Sequence, residues 1–402
     1  MIHLTIKVLF GLGLFGLLSS SIFSGLVMAG VRRFVARRRR AAEREFLPPV
    51  SLFKPLHGAE PGLEAHLTTF FEQDYPEYEI LFGARVASDE GLEAARRVAA
   101  RHPHVPVKFV LTGEPWHINA KACTMELMER AAAHEIFVIS DSDVRVAQNY
   151  LREVAAPFAD KKIGAVTCLY RGVAERGLWA KLEAAGMSIE MTAGVLAADL
   201  MEGMQFLLGP TMAVRRSCVR EMGGFGALGA YCADDFLLGD TIAANGHIVV
   251  LSTHVIDHVV LNSDFADSQR HQIRWMKSTR FSRPKGHVGT SLTFSVPFGL
   301  LACTAAMLLH HPMLGLGLLA YSVLSRVAMA MIIGAAVVEE RHLLRTALLY
   351  PLRDLLGFCY WAASYGSREI VWRNQVYRLD TGGLMLPRED AHREREDAAS
   401  TA

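Results

Sequence analysis

The 402-residue sequence has six cysteines, Cys123, Cys168, Cys218, Cys232, Cys303 and Cys359, and no pair of them stands in CxxC or any other metal-binding spacing. This excludes a zinc ribbon or a CxxC redox centre and fits reduced thiols in a protein that faces the cytosol. No GxxxxGK[ST] loop is present, so any phosphate must be held by another device. A strong charge of either sign is also missing, the formal net charge being +1 from 42 basic and 41 acidic side chains. The basic residues gather beside apolar segments rather than along a soluble face, which argues against a nucleic-acid partner. No internal repeat is visible, and the biased stretches are an arginine cluster and a polar tail from Arg388 that reads as disordered.

Apolar sequence is abundant, at 51% of residues, and it is segregated. Val8 to Val31 carries no charge, is long enough to cross a bilayer as one helix, and runs into "RRFVARRRR". A cleaved signal peptide carries its positive charge before the apolar core, whereas here Lys7 stands alone before it and six arginines follow. The segment reads as an uncleaved anchor whose C-terminal side lies in the cytoplasm. A second apolar block starts near Thr290, is interrupted by "HHP" at His310 to Pro312, and continues to Val338, as expected of two spans joined by a tight turn. A third, Ala347 to Gly366, contains Arg353 and Asp354 and reads as an interfacial or re-entrant helix. The expected organisation is an anchor and arginine-rich segment at 1–45, a cytosolic domain at 46–286, two membrane helices at 287–340, an interfacial segment with a basic tail at 341–387, and a disordered tail at 388–402. A multi-pass protein of the cell inner membrane, with its soluble domain in the cytoplasm, is the corresponding location.

Between the anchors, strand-like runs ("VSLFKPL", "YEILFGARV", "VKFVL", "EIFVIS") alternate with helical patterns ("GLEAHLTTFFEQ", "DEGLEAARRVAARH"), which predicts an α/β domain with a mainly parallel sheet flanked by helices. The strand in "IFVISDSDVRV" ends at Asp141 and Asp143. A lone aspartate there would be read as a turn or helix cap. Two carboxylates at the C-terminal edge of a parallel sheet repel each other unless a cation lies between them, and that edge is where open α/β sheets bind ligands. A Mg2+ or Mn2+ ion bridging carboxylates and a diphosphate would suit a nucleotide-sugar glycosyltransferase of GT-A type.

The stretches "SLFKPLHG", "LTTFFEQDYPEYEILFG", "INAKAC", "VISDSDVRV", "YCADDFLLGDTIAANGH", "HQIRW" and "WRNQVYRL" occur in the order seen in ceramide glucosyltransferases, and the sequence resembles that family from about Val50 to Leu379. The hopanoid-associated glycosyltransferases of bacteria are similar in the same places. The resemblance implies inverting, membrane-bound transfer from a UDP-sugar. It matches Asp89 to an aspartate near the uridine, a role compatible with capping the helix that follows. Asp141 matches the second family aspartate, and Asp143 completes a DxD as the metal and diphosphate site. Asp235 matches the catalytic base, with Asp234 beside it in the acceptor or sugar pocket. Lys121 matches a lysine that offsets phosphate charge, Lys54 is a further donor-site candidate, and Gly209, Pro210 and Thr211 match a loop bordering the sugar.

"SQRHQIRWMKSTRFSRP" is helical in pattern, and His271, Arg274, Trp275 and Ser278 share one face at i, i+3, i+4, i+7. Arg274 could clamp a diphosphate with two prongs, while Trp275 offers an apolar wall to the acceptor. The same pattern suits an amphipathic helix lying on the membrane. The family carries Gln or Arg where this chain has His271, which touches the sugar or acceptor preference. His57, His117, His254 and His258 lack ligand spacing and are assigned to packing or surface. The expected partners are a UDP-sugar, the membrane and a lipid acceptor, either ceramide or a hopanoid polyol taking N-acetylglucosamine. A processive polysaccharide synthase shares the aspartates but needs more helices for a polymer channel, and a nucleotide-binding scaffold would have no use for the carboxylate pair.

Overall fold

The computed structural model describes residues 1–40, 46–261, 264–373 and 375–388; the expected tail at 388–402 lies outside them from residue 389 on, as does the end of the arginine-rich segment at 41–45. The chain forms an α/β domain on a membrane-type helical module. Eight strands make one sheet: β1 (Val50–Pro55), β2 (Tyr78–Ala84), β3 (Val107–Leu111), β4 (Ile136–Ile139), β5 (Val144–Arg145), β6 (Ile163–Ala174), β7 (Met212–Arg215) and β8 (Ile248–Val260), in the order β3-β2-β1-β4-β7-β6-β8-β5. Pairing is parallel for β3-β2, β2-β1, β1-β4 and β6-β8. It is antiparallel for β4-β7, β7-β6 and β8-β5, so the sheet is mixed with a parallel majority. The central strands β1, β2 and β4 are buried on both faces, which is why they read as unbroken apolar runs. Two stretches spell GxGxxG, Gly11 to Gly16 and Gly224 to Gly229, but the first lies inside the anchor helix and the second frames the 3-10 turn Phe225–Leu228. Neither joins a strand to a helix, so neither is a dinucleotide loop.

One face of the sheet packs on helices through Leu67, Phe70, Ile80, Val98 and Val138. The other face shares a single core with the apolar helices: Phe53, Phe137 and Met212 of the sheet belong to the cluster that also contains Val27 and Val31 of the anchor and Ile333. Burying that much apolar surface in common makes the soluble domain and the helical module one packed body.

The anchor helix Ile2–Arg40 packs against the helix Val296–Leu308 at glycines: a Cβ on Gly13 would lie 2.8 Å from Ala302, and one on Gly16 would enter the Phe298 ring. Among the described residues, three helices are long and apolar enough to cross a membrane, Ile2–Arg40, Leu178–Met201 and Pro312–Ala336. The second is buried in protein over most of its length and falls within the 46–286 domain expected from the sequence. Val296–Leu308, the first of the two expected spans, has 13 residues. At 1.5 Å per residue it covers about 20 Å of a ~30 Å hydrocarbon core.

The arginine cluster fastens the anchor to the rest of the chain. Arg37 pairs with the buried Asp199 at 2.7 Å, and Arg38 reaches Glu339 at 2.9 Å and the Val337 carbonyl at 2.6 Å. Beyond the helix Leu343–Ala363, the expected basic tail folds into a small antiparallel sheet of β9 (Glu369–Trp372), β10 (Gln375–Asp380) and β11 (Leu384–Pro387). Cys232 joins Ile370, Leu379 and Met385 in the apolar cluster that seats this sheet on the domain.

Candidate active site

The C-terminal ends of the parallel strands β1 and β4 open onto a cavity of about 540 Å³, whose walls include Lys121, Asp141, Asp234, Asp235, Arg274 and Trp275. β4 stops at Ile139, and Asp141 follows in the turn, as expected of a carboxylate placed by the end of a strand. Lys54, the penultimate residue of β1, is fully buried under it. Its Nζ donates to the Asp141 carbonyl oxygen, lies 3.4 Å from Ser140 Oγ, and sits 3.8 Å from the centre of the Phe70 ring. Burial pulls its pKa down to about 7 although Asp141 and Asp143 oppose this. Lys54 therefore holds the strand-end backbone from behind and does not line the cavity.

The helix Ala120–Ala131 starts at the cap Asn119, whose side chain accepts from Lys121 N, and this aims Lys121 into the cavity. Lys121 Nζ lies 2.6 Å from Asp141 Oδ1 and 3.9 Å from Asp234 Oδ2. Burial alone would lower its pKa, but Asp141 and Asp234 raise it, so the ammonium stays charged.

Asp234 and Asp235 open the helix Asp234–Ala244, where carboxylates complement the helix dipole. They diverge as neighbouring residues in a first turn must. Asp234 faces Lys121, and its Oδ2 is buried with no hydrogen-bond partner. Asp235 turns to the opposite wall, where Oδ2 accepts from Gly209 N and Oδ1 from Phe236 N, each at 2.8 Å. Burial, followed by the charge of Asp234, raises the Asp235 carboxyl to about 6. A Cβ at Gly209 would lie 3.3 Å from Asp235 Oδ2 and 3.7 Å from Asp141 Oδ2, so this glycine keeps the space between the two carboxylates open.

The helix Phe265–Ser282 closes the other side, capped by Asp264, which accepts from Asp267 N. The guanidinium of Arg274 lies 5.2 Å from the centre of the Trp372 ring, so a residue of β9 presses it towards the cavity. Trp275 lines the cavity and packs on His271 with 4.2 Å between ring centres. His271 Nδ1 is 2.7 Å from Oε1 of the buried Glu183, whose other oxygen accepts from Ser268 Oγ at 3.1 Å. His271 is thus placed against Glu183 rather than at the aspartates.

Of the residues singled out in sequence, Lys121, Asp141, Gly209, Pro210, Asp234, Asp235, Arg274, Trp275 and Ser278 meet in this cavity. Asp89 does not reach it: its carboxylate caps Glu90–Arg101 and accepts from Gly58 N, tying the loop after β1 to that helix. Thr211 is fully buried behind the wall, its Oγ1 hydrogen-bonded to Tyr150 OH at 3.1 Å. His258 does line the cavity, with Nε2 3.4 Å from Asp143 Oδ2, which departs from its assignment to packing or surface. The alternation of β8, which sets residues 254, 256 and 258 on one face, was the available signal for it. Tyr170, Trp372 and Glu183 were also missed, although Trp372 lay inside the quoted "WRNQVYRL".

Asp143 does not line the cavity: its Oδ2 is 3.4 Å from His258, and among the described residues its Oδ1 is buried without a hydrogen-bond partner, while Asp141 Oδ2 is turned towards the gap at Gly209. Carboxylate oxygens of this kind are the ligands a hard divalent cation prefers.

The model for "Glycosyl transferase family 21" matches residues 17–385. Ceramide glucosyltransferase 3 of Caenorhabditis elegans is 25% identical over 358 residues, which cover 87% of this chain and 76% of that protein. Ceramide glucosyltransferase 1 of the same organism is 27% identical over 209 residues, so the match takes in 52% of this chain and less than half, 45%, of that relative. Among solved structures, a mannosyltransferase from Pyrobaculum calidifontis in complex with GDP-Man and Mn2+ is 20% identical, covers 87% of this chain and 99% of its own, and gives a TM-score of 0.48.

Proposed function

The chain belongs to glycosyl transferase family 21, with the GT-A fold, and from that premise we propose that this hexosyltransferase moves a hexose from a UDP-sugar to a lipid hydroxyl, with ceramide as the acceptor class. One observation carries the reading: Asp235 is a buried, oriented carboxylate with its pKa raised to about 6, in a chamber that also presents Lys121 and Arg274 and shares its wall with the apolar helices. A base of that strength is mostly ionised at neutral pH yet retains proton affinity, which suits proton abstraction in the transition state. The acceptor hydroxyl gives its proton to Asp235 as its oxygen attacks the anomeric carbon, and the bond from that carbon to the UDP oxygen breaks on the opposite face, inverting the configuration. The Gly209 and Phe236 amides hold the carboxylate, so little reorganisation is needed.

Arg274 offers a planar fork to the diphosphate and Lys121 a point charge, together countering the charge that grows on the leaving UDP. Asp141 and Asp143, with His258 alongside, would hold a Mg2+ or Mn2+ ion, which when bound supplies further positive charge to the diphosphate. We place the protein in the cell inner membrane with this chamber on the cytoplasmic side, since Arg37 to Arg40 follow the anchor and the positive-inside rule orients it.

The test is a mass-spectrometric transfer assay on the full chain in detergent with Mn2+, offering UDP-glucose or UDP-N-acetylglucosamine against ceramide, diacylglycerol and a hopanoid polyol. Hexosylceramide is the expected product. An N-acetylglucosaminyl hopanoid would replace the acceptor and the sugar while keeping the chemistry, and consumption of neither donor would overturn the reading.

A further inference from the structure

Beyond Trp275 a second cavity of about 260 Å³ reaches in among the apolar helices, from Phe23 of the anchor to Phe294, Arg326 and Tyr350. It shares Tyr170, Met191, Trp275 and Thr279 with the catalytic chamber, so a molecule seated in it has one end at the reacting centre. Two ion pairs border it, and they differ in their backbone partners. Asp354 accepts from Ser295 N at 2.9 Å and Val296 N at 2.8 Å while pairing with Arg326, which itself donates to the Thr293 carbonyl at 2.7 Å. That pair caps the helix Val296–Leu308 and is accounted for by architecture.

The pair Glu190 with Arg353 is not. Arg353 is nine-tenths buried or more and its Nε is 3.0 Å from Glu190 Oε2, but among the described residues neither side chain has a backbone partner of the kind that holds Asp354 and Arg326. Burying charges with polar atoms left over is costly unless something else satisfies them. The backbone is shaped around this pair. Glu190 lies in the π-helical turn Gly186–Met191, a device that re-aims a side chain and recurs at functional sites. A Cβ on Gly186 would lie 2.3 Å from Arg353 Nε, and one on Gly357 would lie 3.0 Å from Glu190 Oε2. Two glycines therefore make room for the two charged groups at the edge of one cavity.

Resting on the lipid-glycosylation reading, we propose that Glu190 and Arg353 form the acceptor-recognition site, binding a neutral donor-and-acceptor group that flanks the glycosylated hydroxyl: a secondary amide or a second hydroxyl. The carboxylate accepts from the N–H or O–H of that group, and the guanidinium donates to its oxygen. Such a site rejects a lipid lacking the group, because the buried pair then stays unsatisfied.

The experiment measures transfer to ceramide, to its ester analogue in which oxygen replaces the amide nitrogen, to a hopanoid polyol and to the polyol's mono-hydroxyl analogue, using the full chain in detergent. The double variant Glu190→Met/Arg353→Met removes both charges together, so no lone buried charge remains. Wild type should favour ceramide over the ester, or the polyol over its mono-hydroxyl analogue, by about tenfold or more, as expected for a site built to hydrogen-bond one group. In the double variant the acceptor KM should rise by about tenfold and the discrimination vanish, while the donor KM and acceptor-free hydrolysis of the UDP-sugar stay as in wild type. If the double variant fails to retain UDP, Glu190→Gln decides, with a smaller rise in acceptor KM and an unchanged donor KM expected. Wild-type turnover with the acceptor KM unmoved in the folded variants overturns this site alone. No glycolipid from wild type with any acceptor overturns the functional reading beneath it.

Discussion

The two adjoining chambers treat buried charge in opposite ways. In the upper one, the chamber of the aspartates, Asp234 and Asp235 stand side by side while Lys121 pairs with Asp141 at 2.6 Å and reaches only Asp234, at 3.9 Å; among the described residues, Asp234 and the neighbouring Asp143 each keep a buried oxygen without a hydrogen bond. In the lower one every acid has a base, Asp354 with Arg326 and Glu190 with Arg353. Adjacent, incompletely paired carboxylates are unfavourable in the resting protein and become favourable when a cation arrives, which suits the proposed role of the upper chamber in binding a charged donor and taking up a proton. Matched pairs have no such tendency; they can orient a neutral group but have no proton to exchange. Damage in the upper chamber should therefore appear in turnover and donor use, and damage in the lower in acceptor affinity.

The largest effect should come from Asp235→Asn. The amide keeps the shape and one accepting oxygen for the Gly209 or Phe236 amide but cannot take a proton. Turnover should fall by about 10³-fold, within the range for loss of a general base, while UDP binding persists. A loss of UDP binding of the same size, measured by calorimetry, would mean that Asp235 belongs to the donor site and that the chambers do not divide as argued. Arg274→Lys should follow. Lysine keeps the charge but gives up the planar fork and the stacking on Trp372, so kcat/KM for the donor should drop by about 10- to 100-fold with the acceptor KM near wild type.

The pH profile distinguishes the chambers without a substitution. As the proposed base, Asp235 must be ionised to act, and its carboxyl is raised to about 6 by burial and Asp234. Turnover should be level above that value and fall tenfold per unit below it. Stability runs the other way: the folded form holds this proton up to about 6, whereas the unfolded chain releases it near the ordinary 3.8, so this group's contribution declines as pH rises between those values. A rate profile flat down to pH 5 would remove Asp235 as the base.

What the sequence could disclose follows from how local each feature is. Asp141 is legible because a strand end and a carboxylate pair are contiguous, and Arg274 with Trp275 because one helical turn sets them on one face. Thr211 was placed with Gly209, yet the start of β7 turns it behind the wall towards Tyr150. His258 and Glu190 owe their positions to pairings across distant segments, and Glu190 also to a π-helical turn that a 3.6-residue period does not reveal. The small sheet β9-β10-β11 reads in sequence as a basic tail because its charged residues stand beside an apolar helix and its strands are short.

Gly209→Ala is the mildest test and the most local. Gly209 has no left-handed backbone requirement, so the change tests space rather than conformation. The added methyl would lie 3.3 Å from Asp235 Oδ2 and 3.7 Å from Asp141 Oδ2, close enough to nudge the base while leaving the Gly209 amide hydrogen bond in place. Displacing an aligned base by a few tenths of an ångström should reduce turnover by several-fold, with the melting temperature within about a degree of wild type. The same methyl narrows the gap where donor and acceptor meet, so the acceptor and donor KM values should rise together, by less than the loss in kcat. An acceptor KM that rose alone would mean that the lipid reaches past Trp275 into the aspartate chamber, and the boundary between the two chambers would then lie at Gly209 rather than at the tryptophan.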